Sequence, residues 1–275
     1  MGTREDVYQL LEAKMLKYAD YAEVPVIEVD EVVLFEPVPQ QGVLRVEHVR
    51  GDERAHRRGD LRTPAGGRHA LLAGQELKNL DRSLTLKVVY GFRALEVQTR
   101  LFEEAKASLA GQYPDEDELI EATHRHVAVP SVAGYPTGGA VAVEILRDEQ
   151  PVDMGTPVME ADRDSFTFSP FVSPDAWAHR QLLRRAMMAA GFAPFDGEWW
   201  HFSYGDKEWA RFYRQQGALR PGRVRRRTEG RPRCRPGSLR GDRCSKGTAG
   251  ARKARPGSRG ADPGRCSANL LGEPG

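Results

Sequence analysis

Gly134-Tyr-Pro-Thr-Gly-Gly-Ala-Val-Ala-Val-Glu144 is the stretch of sequence on which the prediction of the fold depends. Its second half continues into Ile-Leu and contains no turn-forming residue after Gly139, so it predicts a central β-strand over residues 139–146. Alternate side chains of a strand point to opposite faces of the sheet. The small or acidic side chains therefore share one face: Ala140, Ala142 and Glu144. We expect this face to line a cleft, and the bulkier valine and isoleucine face to enter the core.

The sequence around this strand predicts helices and one further strand. Ser173 as N-cap, Pro174 at the first position and Gly191 just past the end together indicate a helix over residues 174–190. Residues 84–90 alternate as a half-buried strand does. The sequence predicts further helices at 4–18, 70–79, 95–109 and 115–122, with short strands or extended chain at 24–46 and a loop at 49–69. The fold class that follows is α+β, with a small antiparallel sheet flanked by helices and a cleft on one side.

The C-terminal part of the chain differs from the rest in composition. Residues 220–275 contain 16 Lys and Arg against 4 Asp and Glu, whereas the preceding residues contain 25 against 35. No aromatic residue follows Tyr213, and such a segment buries too little apolar surface to offset its ordering entropy. We therefore predict a domain over residues 1–217 and a disordered basic tail over 218–275. The tail also has the composition of a GC-rich gene translated in a shifted frame, which makes it a candidate frameshift product.

Composition also bears on location and partners. All three cysteines lie in the tail, so no disulfide framework supports the predicted domain. Neither a signal peptide nor an apolar run long enough to span a membrane is evident, and we expect a cytoplasmic protein. Nucleic-acid binding is not favoured, because the basic tail lacks the interleaved aromatic side chains that stack on bases.

Two segments together carry a resemblance to a known family. These are the stretch 134–144 and Glu198-Trp-Trp-His-Phe202. They resemble the signature motifs of zinc-dependent D-alanyl-D-alanine dipeptidases, His-x-x-Gly-x-Ala-x-Asp and Glu-x-x-His. The segments Tyr90–Gln98 and Asp153–Thr156 also resemble family segments, and all four occur in the family's order. The resemblance covers roughly residues 65–213.

The resemblance implies a cofactor, a substrate and roles for three residues. It implies a zinc ion in the cleft and hydrolysis of D-alanyl-D-alanine or a similar dipeptide. His201 would be a zinc ligand, Glu198 the general base that activates the metal-bound water, and Arg93 the cation that steadies the tetrahedral intermediate. A catalytic zinc needs three protein ligands and an open position for water, so two further ligands are required.

The chain departs from the family at both of those ligand positions. Alignment on Gly138 and Ala140 places Tyr135 where the family has histidine and Ala142 where it has aspartate. Tyrosine has an ordinary pKa of about 10 and is a poor ligand at neutral pH, and alanine has no donor. A zinc site contributes about 10–16 kcal/mol, or roughly 3–4 kcal/mol for each ligand. Two losses therefore cost about 6–8 kcal/mol and weaken zinc binding by roughly 10⁴–10⁶.

Three hypotheses remain open at this point. The first is a working zinc dipeptidase whose metal is rescued by Glu144, or by His124 and His126. The second is a non-catalytic homologue that binds a peptide or another small ligand in the old cleft. The third is a nucleic-acid-associated protein that acts through its tail. Metal content separates the first two, and a salt-dependent mobility shift that requires residues 218–275 would support the third.

Overall fold

The computed structural model describes residues 2–26, 42–46, 66–160 and 162–215. All of these lie in one structural unit, Met1–Glu229. The predicted tail at 218–275 lies outside the described residues, as do most of the predicted extended chain and loop between residues 27 and 65.

Helices surround a sheet in the part of the chain that is described. Three helices lie in the N-terminal part of the chain: α1 (Arg4–Glu12), α2 (Tyr18–Ala22) and α3 (Gly66–Leu80). Two lie between the two long strands: α4 (Leu95–Leu109) and α5 (Glu116–His124). Two lie towards the C-terminal side: α6 (Pro174–Ala189) and α7 (Lys207–Phe212). Short 3-10 turns occur at Tyr135–Thr137 and Arg163–Ser165.

The sheet is built around one central strand. In chain order the strands are β1 (Leu44–Val46), β2 (Leu84–Tyr90), β3 (Ala140–Arg147), β4 (Gln150–Pro151), β5 (Ala193–Pro194) and β6 (His201–Ser203). Their spatial order is β1-β2-β3-β6-β5, with β4 also pairing with β3. The pairs that involve β3, and the β5–β6 pair, are antiparallel, whereas β1 runs parallel to β2. The predicted α+β class is confirmed. The sheet was predicted to be antiparallel, and the parallel β1–β2 pair corrects that detail.

Both faces of β3 are buried. Residues 140–146 are all at most 8% exposed. Helices α3 and α6 pack against each other and contact β2 and β3, which accounts for the bulky face. The small face is covered by Tyr135, Met154 and Trp199, which belong to the same core cluster. The site on this face is therefore recessed rather than an open groove.

The single helix predicted at 4–18 is also wrong beyond residue 12. Tyr8 in α1 packs against the ring of Phe171, with centroids 5.2 Å apart. Tyr18 and Tyr21, both in α2, pack instead against His124, with ring centroids 5.8 Å and 5.6 Å apart. Because these anchors lie on different parts of the molecule, the chain leaves the helix between them. Periodicity alone cannot show such a break.

Candidate active site

Strand register places two of the family's three ligand positions opposite each other. β6 pairs with β3 so that His201 faces Ala142. Directly opposite side chains in an antiparallel pair have Cβ atoms about 5 Å apart. An irregularity in β2 between Val88 and Tyr90 brings Tyr90 to the same level, also opposite Ala142. The recessed site is therefore centred on the methyl group of Ala142.

The third position is supplied by the 3-10 turn before β3. Tyr135 in that turn is 8% exposed, and its ring lies 4.9 Å from the rings of both His201 and Tyr90. The backbone just after this turn lies close to the residue that follows β6: a Cβ atom on Gly139 would be 2.2 Å from the carbonyl oxygen of Tyr204. Tyr135, Ala142 and His201 therefore lie close together.

Tyr135 does not offer a ligand in this position. Its hydroxyl is buried and has no hydrogen-bond partner among the described residues. Burial, followed by the nearby charge of Glu198, raises the pKa of the Tyr135 phenol well above its usual value. The phenol therefore stays protonated at neutral pH, and a protonated phenol is a weak metal donor.

His201 lies between two carboxylates. Its Nδ1 atom is 3.5 Å from an oxygen of Glu198, and its Nε2 atom is 3.4 Å from an oxygen of Glu208. Burial by itself lowers the pKa of His201, but hydrogen bonds to Glu198 and Glu208 and their charges outweigh it and raise the pKa to about 10. The imidazole is consequently a cation at neutral pH, with both nitrogens protonated. Glu198 and His201 are thus brought together, as the sequence predicts.

Arg93 reaches the same site from the loop after β2. Its Nε donates to the Tyr90 hydroxyl at 2.7 Å, and its guanidinium carbon lies 5.0 Å and 5.1 Å from the ring centres of Tyr90 and Tyr135. A second nitrogen donates to Gln98 at 2.8 Å, and Gln98, which is 1% exposed, donates in turn to the Ala128 carbonyl at 2.7 Å. This chain of bonds fixes the guanidinium beside Tyr135.

The residues proposed to replace the missing zinc ligands have other contacts or lie exposed. Glu144 forms an ion pair with Lys87 at 2.9 Å, across the β2–β3 ladder. His124 ends α5, accepts the backbone N–H of Val129 at 3.2 Å and packs against two tyrosines. Burial lowers the pKa of His124 to about 4. His126 is exposed.

The residues present do not fit a zinc ion. Of the three aligned positions, only His201 has a nitrogen or oxygen donor suited to zinc, and that nitrogen carries a proton at neutral pH. Within residues 2–26, 42–46, 66–160 and 162–215, no group of three or more His, Cys, Asp or Glu side chains is placed to hold a metal. The three aligned positions lie close together, but only one of them carries a donor suited to zinc.

A cavity of about 320 Å³ is lined in part by Glu144 of β3 and by Trp199, the residue after Glu198. Its wall also includes the segment from Pro151 to Val158. Asp153 in that segment accepts from the backbone of Gly155 at 2.8 Å and from Ser173 at 3.3 Å. Asp153 therefore closes a turn and accepts a hydrogen bond from the N-cap residue of α6.

The sequence assigned no role to three residues that the structure places at the site. Glu208 follows Asp206, the N-cap of α7, and looks like an ordinary acidic residue in a first helical turn. Ser203 and Gln98 carry no distinctive spacing either. Only contacts between separate elements reveal them.

Comparisons with known proteins identify the family of this chain. A sequence model described as D-ala-D-ala dipeptidase matches residues 81–217, a range that contains every site residue described above. The D-alanyl-D-alanine dipeptidase of Synechocystis sp. is 31% identical over 166 residues, which are 51% of this chain and 67% of that protein. The chain belongs to the D-alanyl-D-alanine dipeptidase family.

A solved structure is also similar to this family member. It is a mutant of the vancomycin resistance D,D-pentapeptidase VanY from a VanB-type resistance cassette, in complex with Zn(II). Identity is 20% and the TM-score 0.33, and the match covers 68% of this chain and 96% of VanY. In the part of this chain that the structure describes, no helix is long and apolar enough to span a bilayer.

Proposed function

We propose that this chain derives from a zinc dipeptidase that hydrolyses D-alanyl-D-alanine, and that its own hydrolysis is strongly impaired. One observation carries the proposal: Tyr135, Ala142 and His201 meet at one place, and only His201 is a ligand type there. The β3–β6 register and the turn before β3 bring the three positions together in this chain. The chemistry is impaired, because two donors are missing.

The remaining residues support parts of the family's chemistry. Glu198 keeps a partly exposed carboxylate beside His201, where it can accept a proton from a bound molecule. Arg93 presents a fixed cation next to Tyr135, where it can stabilise a developing negative charge. A base and a cation without a complete metal centre supply only a fraction of the rate enhancement, so we expect turnover near background. We further propose a cytoplasmic location and D-alanyl-D-alanine or a similar dipeptide as ligand.

The experiment is restoration of the two missing donors. Zinc content by mass spectrometry and D-alanyl-D-alanine hydrolysis are measured on the unmodified chain and on the Tyr135→His, Ala142→Asp double variant. A matched control, Tyr113→His with Ala107→Asp, makes the same two changes at positions outside the site. We expect one zinc ion and dipeptide cleavage in the double variant alone.

Two results would count against the proposal. Zinc and turnover in the unmodified chain would show that the ligands have been assigned wrongly. A double variant that folds but neither binds zinc nor cleaves the dipeptide would show that the site is not a decayed metal centre.

The cavity lined in part by Glu144 and Trp199 favours a second candidate function, non-catalytic binding. It has about 320 Å³ of space and a mostly apolar wall, within the size range of small-ligand sites. Titration calorimetry of D-alanyl-D-alanine into the unmodified chain tests it. Saturable binding without hydrolysis would support a binding protein, and no heat at millimolar dipeptide would exclude this ligand.

A further inference from the structure

Glu208 is a largely buried carboxylate of α7 whose side chain extends to His201 in β6. It stands at the second position of α7, whose N-cap Asp206 already accepts the backbone N–H of Trp209 at 2.9 Å. The Glu208 side chain is 12% exposed and extends to β6. There it accepts a hydrogen bond from Ser203 at 3.0 Å and lies 3.4 Å from Nε2 of His201.

The helix itself gives no reason for this placement. Asp206 has satisfied the cap, and the second oxygen of Glu208 is buried with no partner among the described residues. A buried, unpaired carboxylate oxygen destabilises the fold, so such a group calls for an explanation. The interactions of the other oxygen, with Ser203 and His201, supply one.

The two nitrogens of His201 face different surroundings. Nδ1 faces Glu198, whose side chain is 25% exposed, whereas Nε2 faces Glu208, at 12%, and Ser203, at 0%. Nδ1 therefore lies on the more exposed side of the ring, and Nε2 on the more buried side. In metal sites a ligating histidine donates its second N–H to a carboxylate or carbonyl, which fixes the ring and the tautomer.

We propose that Glu208, with Ser203, is the positioning residue for His201: it holds the Nε2 side of the ring so that Nδ1 faces the site. This inference rests on the proposed function for its meaning, since His201 matters as the surviving ligand. Its structural content stands alone, because the contact exists in the unmodified chain. Glu208 acts through His201 and does not touch a substrate.

The test uses two substitutions at Glu208 and one control. Glu208→Leu removes the acceptor, and Glu208→Gln keeps one acceptor oxygen. Glu118→Leu is the control, because Glu118 is an exposed glutamate in the first turn of another short helix, α5. Each is made in the unmodified chain and in the Tyr135→His, Ala142→Asp double variant.

Two signals are followed. The first is the ¹⁵N resonance of His201 Nε2 in the unmodified chain at pH 7, assigned with His201→Gln. The second is the affinity of the double variant for Co²⁺, measured from its visible absorption. We expect Glu208→Leu to move the Nε2 resonance and to weaken Co²⁺ by roughly 10–100-fold, the usual effect of losing such a partner. Glu208→Gln should give smaller changes of the same sign, and Glu118→Leu none.

The outcomes separate this proposal from the proposed function. If Glu208→Leu leaves the Nε2 resonance and the Co²⁺ affinity unchanged, the positioning role is wrong. If no double variant binds Co²⁺, the proposed function fails. The role of Glu208 is then decided in the unmodified chain: a Nε2 resonance that moves on Glu208→Leu supports the role, and one that does not move overturns it. Should Glu208→Leu not fold, the Nε2 resonance of Glu208→Gln decides in the same way.

Discussion

Raising the pH should remove a large part of this protein's stability through one residue, His201. Hydrogen bonds to two carboxylates outweigh burial, which alone would lower the pKa of His201, and raise it to about 10 in the folded chain. In the unfolded chain an ordinary histidine has a pKa of about 6.5. The folded state therefore keeps a proton that the unfolded state has lost. This stabilisation is fully present below pH 6.5 and is lost as the pH rises through 10.

The size of the effect follows from the difference between the two pKa values. Each unit corresponds to about 1.4 kcal/mol, so a difference of roughly 3.5 units contributes about 5 kcal/mol. His201 is 12% exposed, so solvent screening removes little of this. A contribution of this size is a large share of the about 5–15 kcal/mol that stabilises an ordinary domain.

Urea unfolding at pH 6.5, 7.5, 8.5 and 9.5 measures the effect. The unmodified chain is compared with His201→Gln, so that other groups titrating in this range largely cancel, and with His126→Gln as an exposed control. The free-energy difference between the unmodified chain and His201→Gln should shrink by about 1.4 kcal/mol per pH unit. A difference that stays constant across this range would show that His201 is not a buried cation, and the argument from its two carboxylates would be refuted.

The same proton should oppose metal binding. With a pKa of about 10, roughly one His201 side chain in a thousand is neutral at pH 7. A metal that takes this nitrogen must first displace the proton, so the zinc affinity of the restored double variant should rise with pH between 7 and 9. Zinc competition assays with a pH-insensitive chelator would measure this rise, and a flat or falling affinity would contradict it.

Other substitutions give further checks, each measured by urea or thermal unfolding. Gln98→Leu should destabilise the fold by about 2–4 kcal/mol, because it leaves Arg93 and a backbone carbonyl without their partner; a loss below 1 kcal/mol would contradict this. Gly139→Ala should cost about 1–3 kcal/mol, since its Cβ would lie 2.2 Å from a carbonyl oxygen, whereas Gly111→Ala, with nothing within 4 Å, should be neutral or slightly stabilising. Arg180→Met should cost about 3 kcal/mol, because the fully buried Arg180 guanidinium donates to three backbone carbonyls at 2.6–2.8 Å. Equal free energies of unfolding for Gly139→Ala and Gly111→Ala would refute the estimate for Gly139. An Arg180→Met variant as stable as the unmodified chain would refute the estimate for Arg180.

Elements with local signals were predictable from the sequence. The helix predicted at 174–190 occurs at Pro174–Ala189, with Ser173 as its N-cap. Gly191 beyond it has a φ of +88°, a conformation that glycine adopts without strain. The strand at 84–90 and the helix at 95–109 occur with the predicted bounds. Caps and side-chain periodicity act within a few residues, so the sequence contains all that is needed to find them.

Features set by distant contacts were not predictable. The irregularity after Val88 turns Tyr90 to the face of Ala142, and no local pattern in the strand indicates it. The burial of both faces of β3 depends on Trp199 and Tyr135, which pack on it from other parts of the chain. The break in the helix predicted at 4–18 depends on tyrosines that find different partners.

The sequence by itself determined the family and the identity of the missing donors, because ligand chemistry belongs to a residue type: alanine at 142 has no donor in any fold, and tyrosine at 135 is a poor donor at neutral pH. Only the tertiary structure decided what His201 contacts instead. Its partner Glu208 lies on another element, and the distance between them depends on how α7 packs beside β6. Burial in that position then sets the charge of His201 together with Glu198 and Glu208, since its pKa depends on the solvent excluded and on the carboxylates nearby.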